Sequence, residues 1–353
     1  MATVRIAING FGRIGRLFFR QVAELSPNRP ANSTEPQLEI VAVNDLGDVE
    51  NLAYLLKYDS VYGCFRGEVK SDPNTNELIV DGKRIKVLQV KDPAQLPWRD
   101  LKIDIAIEAT GLFESFEAAK AHITAGAKRV ILTAPAQDAD GTTGKTILMG
   151  VNESEFKNVQ ISSNASCTTN SVSPVIQVLA ENPGISKAIL GTVHAMTSTQ
   201  NLADGPIKGG HDFRRGRAAS HNITPSTTGA AIAVTRAIPE LKDKFDGLAY
   251  RVPVIAGSMS DITFVAKRNV TVAEVNKILT DAAMSERWQG ILAVTHDQLV
   301  SSDVIGMPYG AIVDLSLTKV VDGNLVKVIS WYDNEYGYVS TLVRHVLKIV
   351  EFL

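Results

Sequence analysis

Short runs that are apolar at nearly every position recur through the first half of the chain: Val4–Gly10, Leu38–Asp45, Ile103–Thr110 and Arg129–Pro135, all rich in Val, Ile and Ala. Runs without polar alternation mark strands covered on both faces, as in a parallel sheet. Between the first two, Arg13–Glu24 sets Ile14, Leu17, Phe18 and Val22 on one helical stripe. Alternation of strand and helix predicts a doubly wound α/β domain.

From Cys167 onward the pattern changes. A helix opens there with Val172, Val175, Ile176 and Leu179 on its apolar face. Thr271 and Glu274 have capping-box spacing ahead of Val272, Val275, Ile278 and Leu279. Leu248–Val254, Asp261–Lys267, Ala311–Thr318 and Leu325–Trp331 read as strands, the last two joined by a turn at Asp322-Gly323-Asn324. Long strands with few helices between them predict an α+β domain with a mostly antiparallel or mixed sheet. Ser340–Leu353 is amphipathic through Leu342, Val343, Val346, Leu347 and Val350. The expected division is residues 1–166, rejoined by 335–353, and residues 167–334. Ser26–Pro36, polar and proline-rich, reads as the clearest loop.

Composition narrows the classes. A chain of 353 residues suits two domains, and 45% apolar with 21% charged residues is the balance of a soluble globular protein. A net charge of −2 gives no global reason to expect nucleic acid or an anionic membrane as partner. No apolar stretch approaches the roughly 20 residues that span a bilayer. The N-terminal residues run straight into a strand-like pattern without a signal peptide's regions. Two cysteines, Cys64 and Cys167, are too few for a disulfide framework, so a cytoplasmic protein is expected. The six histidines are scattered, and no Cys/His set has metal-ligand spacing.

Gly10-Phe-Gly12-Arg-Ile-Gly15 follows the first strand and opens the helix at Arg13. Glycines in that setting permit a tight turn and bring backbone N–H groups up to a pyrophosphate at a helix N-terminus. Without the setting, the same motif is only a glycine-rich turn. The acid that accepts from ribose hydroxyls should end the second strand. Asp45 does, about 30 residues beyond Gly15 where about 20 is usual, and the Ser26–Pro36 loop accounts for the excess. A carboxylate there also repels a 2′-phosphate, which favours NAD over NADP.

Asn164-Ala-Ser-Cys167-Thr-Thr-Asn170 lies between an apolar run and the amphipathic helix. A cysteine at a helix start stands among unpaired N–H groups at the positive end of the dipole. Both lower its pKa and raise the thiolate fraction. The alternative for a lone cysteine is a small buried residue, against which the polar neighbours argue. Cys64 has no such setting and reads as that structural residue. His194 ends the apolar run Ala188–Val193. On its own such a histidine is more often structural than catalytic, and nothing in the spacing brings it beside Cys167.

Together these segments resemble the glyceraldehyde-3-phosphate dehydrogenase family, from Arg5 to the end of the chain. The carriers are Ala7–Arg16, Ser163–Asn170, Arg217–Ala231 and Trp331–Tyr338, four blocks in the family's order. The resemblance implies a Rossmann-like NAD-binding domain followed by a catalytic domain. It also implies oxidation of glyceraldehyde 3-phosphate, with inorganic phosphate as second substrate, and a homotetramer. Cys167 would be the nucleophile, His194 its base, and the N–H of Cys167 a donor to the developing oxyanion. Thr197 and Arg251 would hold the substrate phosphate, and Ser166, Thr168 and Thr228 the attacking one. Phe11, Arg13, Ile14, Asp45, Thr110, Thr133 and Asn334 match the cofactor contacts around Gly10, Gly12 and Gly15, and Tyr338 would pack near the nicotinamide.

Some positions depart from the family pattern. Ser171 replaces a second cysteine that many members carry, and the loop Gly205–His221, with Gly209-Gly210 and His211, is about two residues longer than usual. Ala139–Lys145 is also enlarged. Arg214, Arg215 and Arg217 could be read as a nucleic-acid patch, but no aromatic platform accompanies them, and a salt-bridged loop between subunits is the better reading. Erythrose-4-phosphate dehydrogenase is the nearest rival. Its members generally carry Asn-Glu where this chain has Asn44-Asp45, and they lack the Thr228-Gly-Ala-Ala231 pattern. A silent binding protein on the same fold would have lost Cys167, His194 or Arg251.

Overall fold

The computed structural model describes residues 3–25, 36–207 and 211–353. All but Pro36 of the expected Ser26–Pro36 loop, and the Gly209-Gly210 pair, lie outside the described residues. The chain divides into two compact units. The first is Met1–Ile147 with Glu153–Ala165 and Leu342–Leu353, and the second is Leu148–Asn152 with Ser166–Thr341.

In the first unit β1 (Thr3–Asn9) leads through α1 (Arg13–Leu25) to β2 (Gln37–Asn44), and α2 (Val49–Lys57) leads to β3 (Val69–Asp72), β4 (Glu77–Val80) and β5 (Lys83–Leu88). Then come β6 (Ile105–Glu108), α3 (Phe116–Ala125), β7 (Arg129–Leu132), β8 (Gly144–Thr146) and β9 (Ile161–Ser163). Among the described residues the sheet runs β3-β4-β5-β2-β1-β6-β7-β9-β8. From β5 to β9 every pairing is parallel. Numbered among themselves, these six strands have the order 3-2-1-4-5-6 of a Rossmann fold, and its ligand crevice opens at the carboxyl ends of β1 and β6, where the winding reverses. The uninterrupted apolar runs have their reason here: Ile6, Ile8, Ile105, Ile107, Val130 and Ile131 are all buried. The antiparallel meander β3-β4-β5 was not anticipated. Its strands are short and alternate with charged residues, Lys70 and Lys86 among them, so they lack the signal of a two-sided strand. The enlarged loop Ala139–Lys145 runs into β8, where Asp140 accepts from the N–H and hydroxyl of Thr146, both at 2.9 Å.

The second unit begins with α4 (Cys167–Glu181) and β10 (Ile185–Ala195), then β11 (Thr224–Thr227), α5 (Ala230–Ala237), β12 (Phe245–Val252) and β13 (Ser258–Ala266). It continues through α6 (Val272–Ala283), β14 (Leu292–Thr295), β15 (Ala311–Val321) and β16 (Leu325–Tyr332) into α7 (Tyr336–Ile349). Among the described residues its sheet runs β11-β12-β10-β13-β16-β15-β14. β10 pairs parallel with β12 and β14 with β15, and the other pairings are antiparallel, so the α+β unit has a mixed sheet. α4, α5 and α6 pack against it. Thr271 caps α6 by accepting from the Glu274 N–H, as its spacing predicts.

The expected return of the chain at residue 335 differs from the division seen, because α7 is shared. Its first turns stay with the second unit. A Cβ on Gly337 would lie 2.4 Å from the Tyr309 carbonyl oxygen, so only glycine permits that approach. In the first unit His345 is fully buried, its Nε2 2.8 Å from Ser162 Oγ and its Nδ1 3.2 Å from Asn164 Oδ1. Burial pushes its pKa down to about 3, against about 6.5 in an unfolded chain. Above pH 6.5 neither state binds the proton and stability is unaffected. Below it the unfolded chain takes up a proton that the folded chain refuses, so stability falls as pH falls. Denaturant melts between pH 6.5 and 5 should show a loss approaching about 1.4 kcal/mol per pH unit from this group. A His345→Gln variant should have a slope lower by about one proton, and an unchanged slope would refute the assignment.

Candidate active site

The strand β9 ends at Ser163, and two residues later Ala165 takes a left-handed backbone, φ 53°. For a non-glycine residue that costs about 1 kcal/mol or more. Ser166 then caps α4, its hydroxyl accepting from the Thr169 N–H at 3.1 Å, and Cys167 is the first helical residue. An N–H at that position has no intrahelical partner.

His194 comes from β10, in parallel register with Arg251 on β12. Cys167 Sγ lies 3.3 Å from His194 Nε2. His194 Nδ1 lies 2.7 Å from the Ala195 carbonyl oxygen and 2.8 Å from Arg251 Nη1. Arg251 Nη1 also donates to the Ala195 carbonyl, at 3.2 Å, and to Thr197 Oγ1, at 3.4 Å. Thr197 and Arg251 thus stand together beside the Cys–His pair.

The electrostatics differ from the sequence expectation. Burial pushes the Cys167 thiol up, and this outweighs the opposing influence of Arg251 and the helix N–H groups. Cys167 keeps some exposure to solvent, which limits that penalty. Burial, with Arg251 adding to it, pushes His194 down to about 3. Burial thus opposes the lowering of the thiol pKa expected from the helix dipole, while Arg251 and the helix N–H groups act in the expected direction. Cys64, expected to be buried, is exposed, in the irregular segment after α2.

Thr168 donates or accepts at 2.9 Å with the hydroxyl of Tyr332, which also lies 2.9 Å from Thr192 Oγ1. Burial raises the Tyr332 pKa, so the phenol keeps its proton. Its ring stands edge-on to His194, centroids 6.0 Å apart. Tyr332 lies within the Trp331–Tyr338 block, and its only signal in the sequence is that of an aromatic closing a buried strand. Thr228 Oγ1 accepts from the Ala230 N–H at the start of α5, rather than meeting another expected site residue. Gln200 was also missed: its Oε1 accepts from the Thr197 N–H at 3.3 Å, while its Nε2 is buried without a partner among the described residues. Ser171, in place of a second cysteine, is buried with Ser260 and Ser330 hydroxyls at 3.2 and 3.4 Å. Arg214 and Arg215 pair with Asp212, and Arg217 with Asp204.

The expected cofactor residues fall in both units. In the first, Gly10 has φ +93°, and a Cβ on it would lie 2.6 Å from the Ala109–Thr110 backbone; one on Gly15 would lie 2.2 Å from the Gly10 carbonyl oxygen. Packing alone demands both. A Cβ on Gly12 would meet nothing within 4 Å, so no packing demand explains that glycine, whereas approach by a pyrophosphate would. The residues fit a dinucleotide. Asp45 accepts from the Phe11 N–H at 2.8 Å, tying the loop to the end of β2, and Phe11 packs edge-on against Phe19. Arg13 pairs with Asp59 at 2.5 Å, and Ile14 is half-buried. Thr110 and Thr133 both bond to Glu108. In the second unit Asn334 Oδ1 accepts from the Gly257 N–H and Ser258 Oγ, at 3.1 and 3.0 Å, which leaves its amide N–H groups as the end for a ligand. Tyr338 is buried in α7.

The Rossmann-type sheet and its glycine loop are those of a dinucleotide-binding protein. Residues 4–116 match the family model for the glyceraldehyde 3-phosphate dehydrogenase NAD binding domain, and residues 166–334 match that for its C-terminal domain. The glyceraldehyde-3-phosphate dehydrogenase of Streptomyces coelicolor is 48% identical over 343 residues, 97% of each chain. That of Clostridium pasteurianum is 47% identical over 344 residues, 96% of each, and that of Thermotoga maritima 48% over 340, 96% of this chain and 97% of its own. The chain belongs to the glyceraldehyde-3-phosphate dehydrogenase family, which makes it an NAD-dependent dehydrogenase.

Removing the Tyr332 hydroxyl tests its place beneath the site. Tyr332→Phe removes the partner of the buried Thr168 hydroxyl, while Thr192 Oγ1 keeps its bond to the Met259 carbonyl at 3.1 Å, and should lower stability by about 1–3 kcal/mol in denaturant melts. Because the ring remains, Cys167 alkylation by iodoacetamide should stay within about threefold of the parent. A stability change near zero would show that the bridge carries no weight.

Proposed function

We propose that the chain oxidises glyceraldehyde 3-phosphate to 1,3-bisphosphoglycerate, with inorganic phosphate as second substrate. NAD binding is assigned to residues 1–166 with 335–353, and substrate chemistry to residues 167–334. One observation carries the reading of the substrate. Arg251 is a half-buried guanidinium with which no carboxylate among the described residues pairs, and its buried Nε has no partner among them. An unmatched cation beside a cysteine–histidine pair calls for an anionic substrate.

Cys167 Sγ attacks the aldehyde carbon as its proton passes to His194 Nε2, and His194 then returns that proton to the oxyanion, giving the hemithioacetal hydroxyl and a neutral imidazole. The Cys167 N–H stabilises the oxyanion. Arg251 and Thr197 hold the substrate phosphate, and in doing so Arg251 gives up its contact with His194. Gly10–Gly15, Asp45, Thr110, Thr133, Asn334 and the surroundings of Tyr338 would hold NAD, which would supply the acceptor for the hydride. His194 takes the hydroxyl proton as Cys167 becomes a thioester. Inorganic phosphate, bound by Ser166, Thr168 and Thr228, attacks that thioester, and Cys167 leaves as thiolate.

We assign the protein to the cytoplasm and to a homotetramer by likeness to its family. Leu202, Phe213, Ile223 and Ile232 are large apolar side chains exposed in the second unit, as a subunit interface requires. No helix among the described residues is long and apolar enough to cross a membrane.

NADH formation at 340 nm with substrate, NAD and phosphate should be sustained in the parent. Without phosphate it should stop after about one equivalent per site, the burst of an accumulating thioester. Cys167→Ala should form no NADH, and His194→Asn should lower kcat by about 10²–10⁴-fold. Turnover that ignores phosphate would sink the acyl-transfer step and point to hydrolysis. Turnover of erythrose 4-phosphate in preference would favour the sister enzyme.

A further inference from the structure

Glu108, the last residue of β6, is a buried carboxylate that meets four donors. Oε2 lies 2.5 Å from Asn9 Nδ2 and 3.0 Å from His122 Nε2. Oε1 accepts from the Thr110 N–H at 2.8 Å and from the Thr110 hydroxyl. The Glu108 carbonyl oxygen accepts from the N–H and the hydroxyl of Thr133, each at 3.0 Å. Two residues assigned to the cofactor therefore hang from one carboxylate-bearing residue that no motif singled out.

Behind it stands a second layer. His122 and Trp98 are fully buried, and Trp98 Nε1 donates to His122 Nδ1 at 3.0 Å. An indole N–H can only donate, so Nδ1 is the bare nitrogen and the proton sits on Nε2, where His122 gives it to Glu108. On the other side Asn9 Oδ1 accepts from Asn44 Nδ2 at 2.6 Å, and Asn44 exchanges two bonds with the Val90 backbone, each 2.9 Å. The backbone follows the same line: the Gly10 N–H bonds to the Asn44 carbonyl at 2.8 Å, and the Ala109 N–H to the Asn9 carbonyl at 2.7 Å. The ends of β2, β1 and β6 are thereby stitched together where the winding reverses.

A buried carboxylate is costly unless every lone pair is met. Joining strand ends alone would need only neutral amides, as at Asn9 and Asn44. We infer that Trp98, His122 and Glu108 are a chain of positioning residues for the cofactor site. Trp98 sets the His122 tautomer, His122 orients the Glu108 carboxylate, and that carboxylate fixes the Thr110 hydroxyl, while the Glu108 carbonyl holds that of Thr133. The inference rests on the assignment of those threonines and the Gly10–Gly15 loop to NAD.

Two replacements of His122 separate positioning from bulk. Gln retains an acceptor for Trp98 and a donor for Glu108, and Leu retains the volume with neither. Calorimetric titration of the ligand-free protein with NAD should give a Kd about tenfold weaker for His122→Leu, and within about threefold of the parent for His122→Gln. KM for NAD should follow Kd, while kcat at saturating NAD stays within about twofold. An unchanged Kd in folded His122→Leu overturns the inference, as does a Gln variant as weak as the Leu variant. A parent chain that binds no NAD overturns the cofactor assignment instead. Should His122→Leu not fold, Trp98→Phe removes the indole donor alone. Its Kd should weaken about threefold, and parity with the parent overturns the inference.

Discussion

The parallel register of β10 with β12 is the constraint on which the chemistry of this chain depends. It sets His194 opposite Arg251, so a histidine ring and a guanidinium share one face of the sheet within hydrogen-bond distance. Side chains alternate faces along a strand, so a slip of one residue would set Tyr250 or Val252 there and send Arg251 to the other side. The antiparallel pairing of β10 with β13 holds the same strand from its other edge. Cys167 then needs only the end of α4 to reach Nε2.

That arrangement trades ionisation for readiness. A helix N-terminus favours a thiolate, yet burial around Cys167 and His194 favours the uncharged forms of both. Sγ and Nε2 nonetheless stand 3.3 Å apart, within reach of a shared proton. The cation that opposes ionisation of His194 is also the one that an anionic substrate would draw away, so occupancy of the site and basicity of the histidine are linked through Arg251.

Much of this was legible in the residues. The runs at Val4–Gly10 and Leu38–Asp45 and the stripe on α1 revealed the Rossmann sheet, because strands covered on both faces have no choice of composition. Thr271 revealed a helix start, since a cap is a local bond. The meander β3-β4-β5 was missed because short, half-exposed strands leave room for lysines. The burial that opposes ionisation of Cys167 was not legible, because desolvation is set by residues far along the chain, which no local window contains. Glu108, His122 and Trp98 escaped for a related reason: a glutamate ending a strand, a histidine within a helix and a lone tryptophan share no spacing, and only the fold makes them neighbours.

The glycine loop separates two kinds of necessity. Positions 10 and 15 belong to the chain's own geometry, since any side chain there collides with backbone, whereas position 12 faces open space. Its identity answers to a visitor rather than to the fold. In a descendant lineage that had abandoned the dinucleotide, position 12 would be the first of the three to drift, and the other two would stay glycine for as long as the sheet endured.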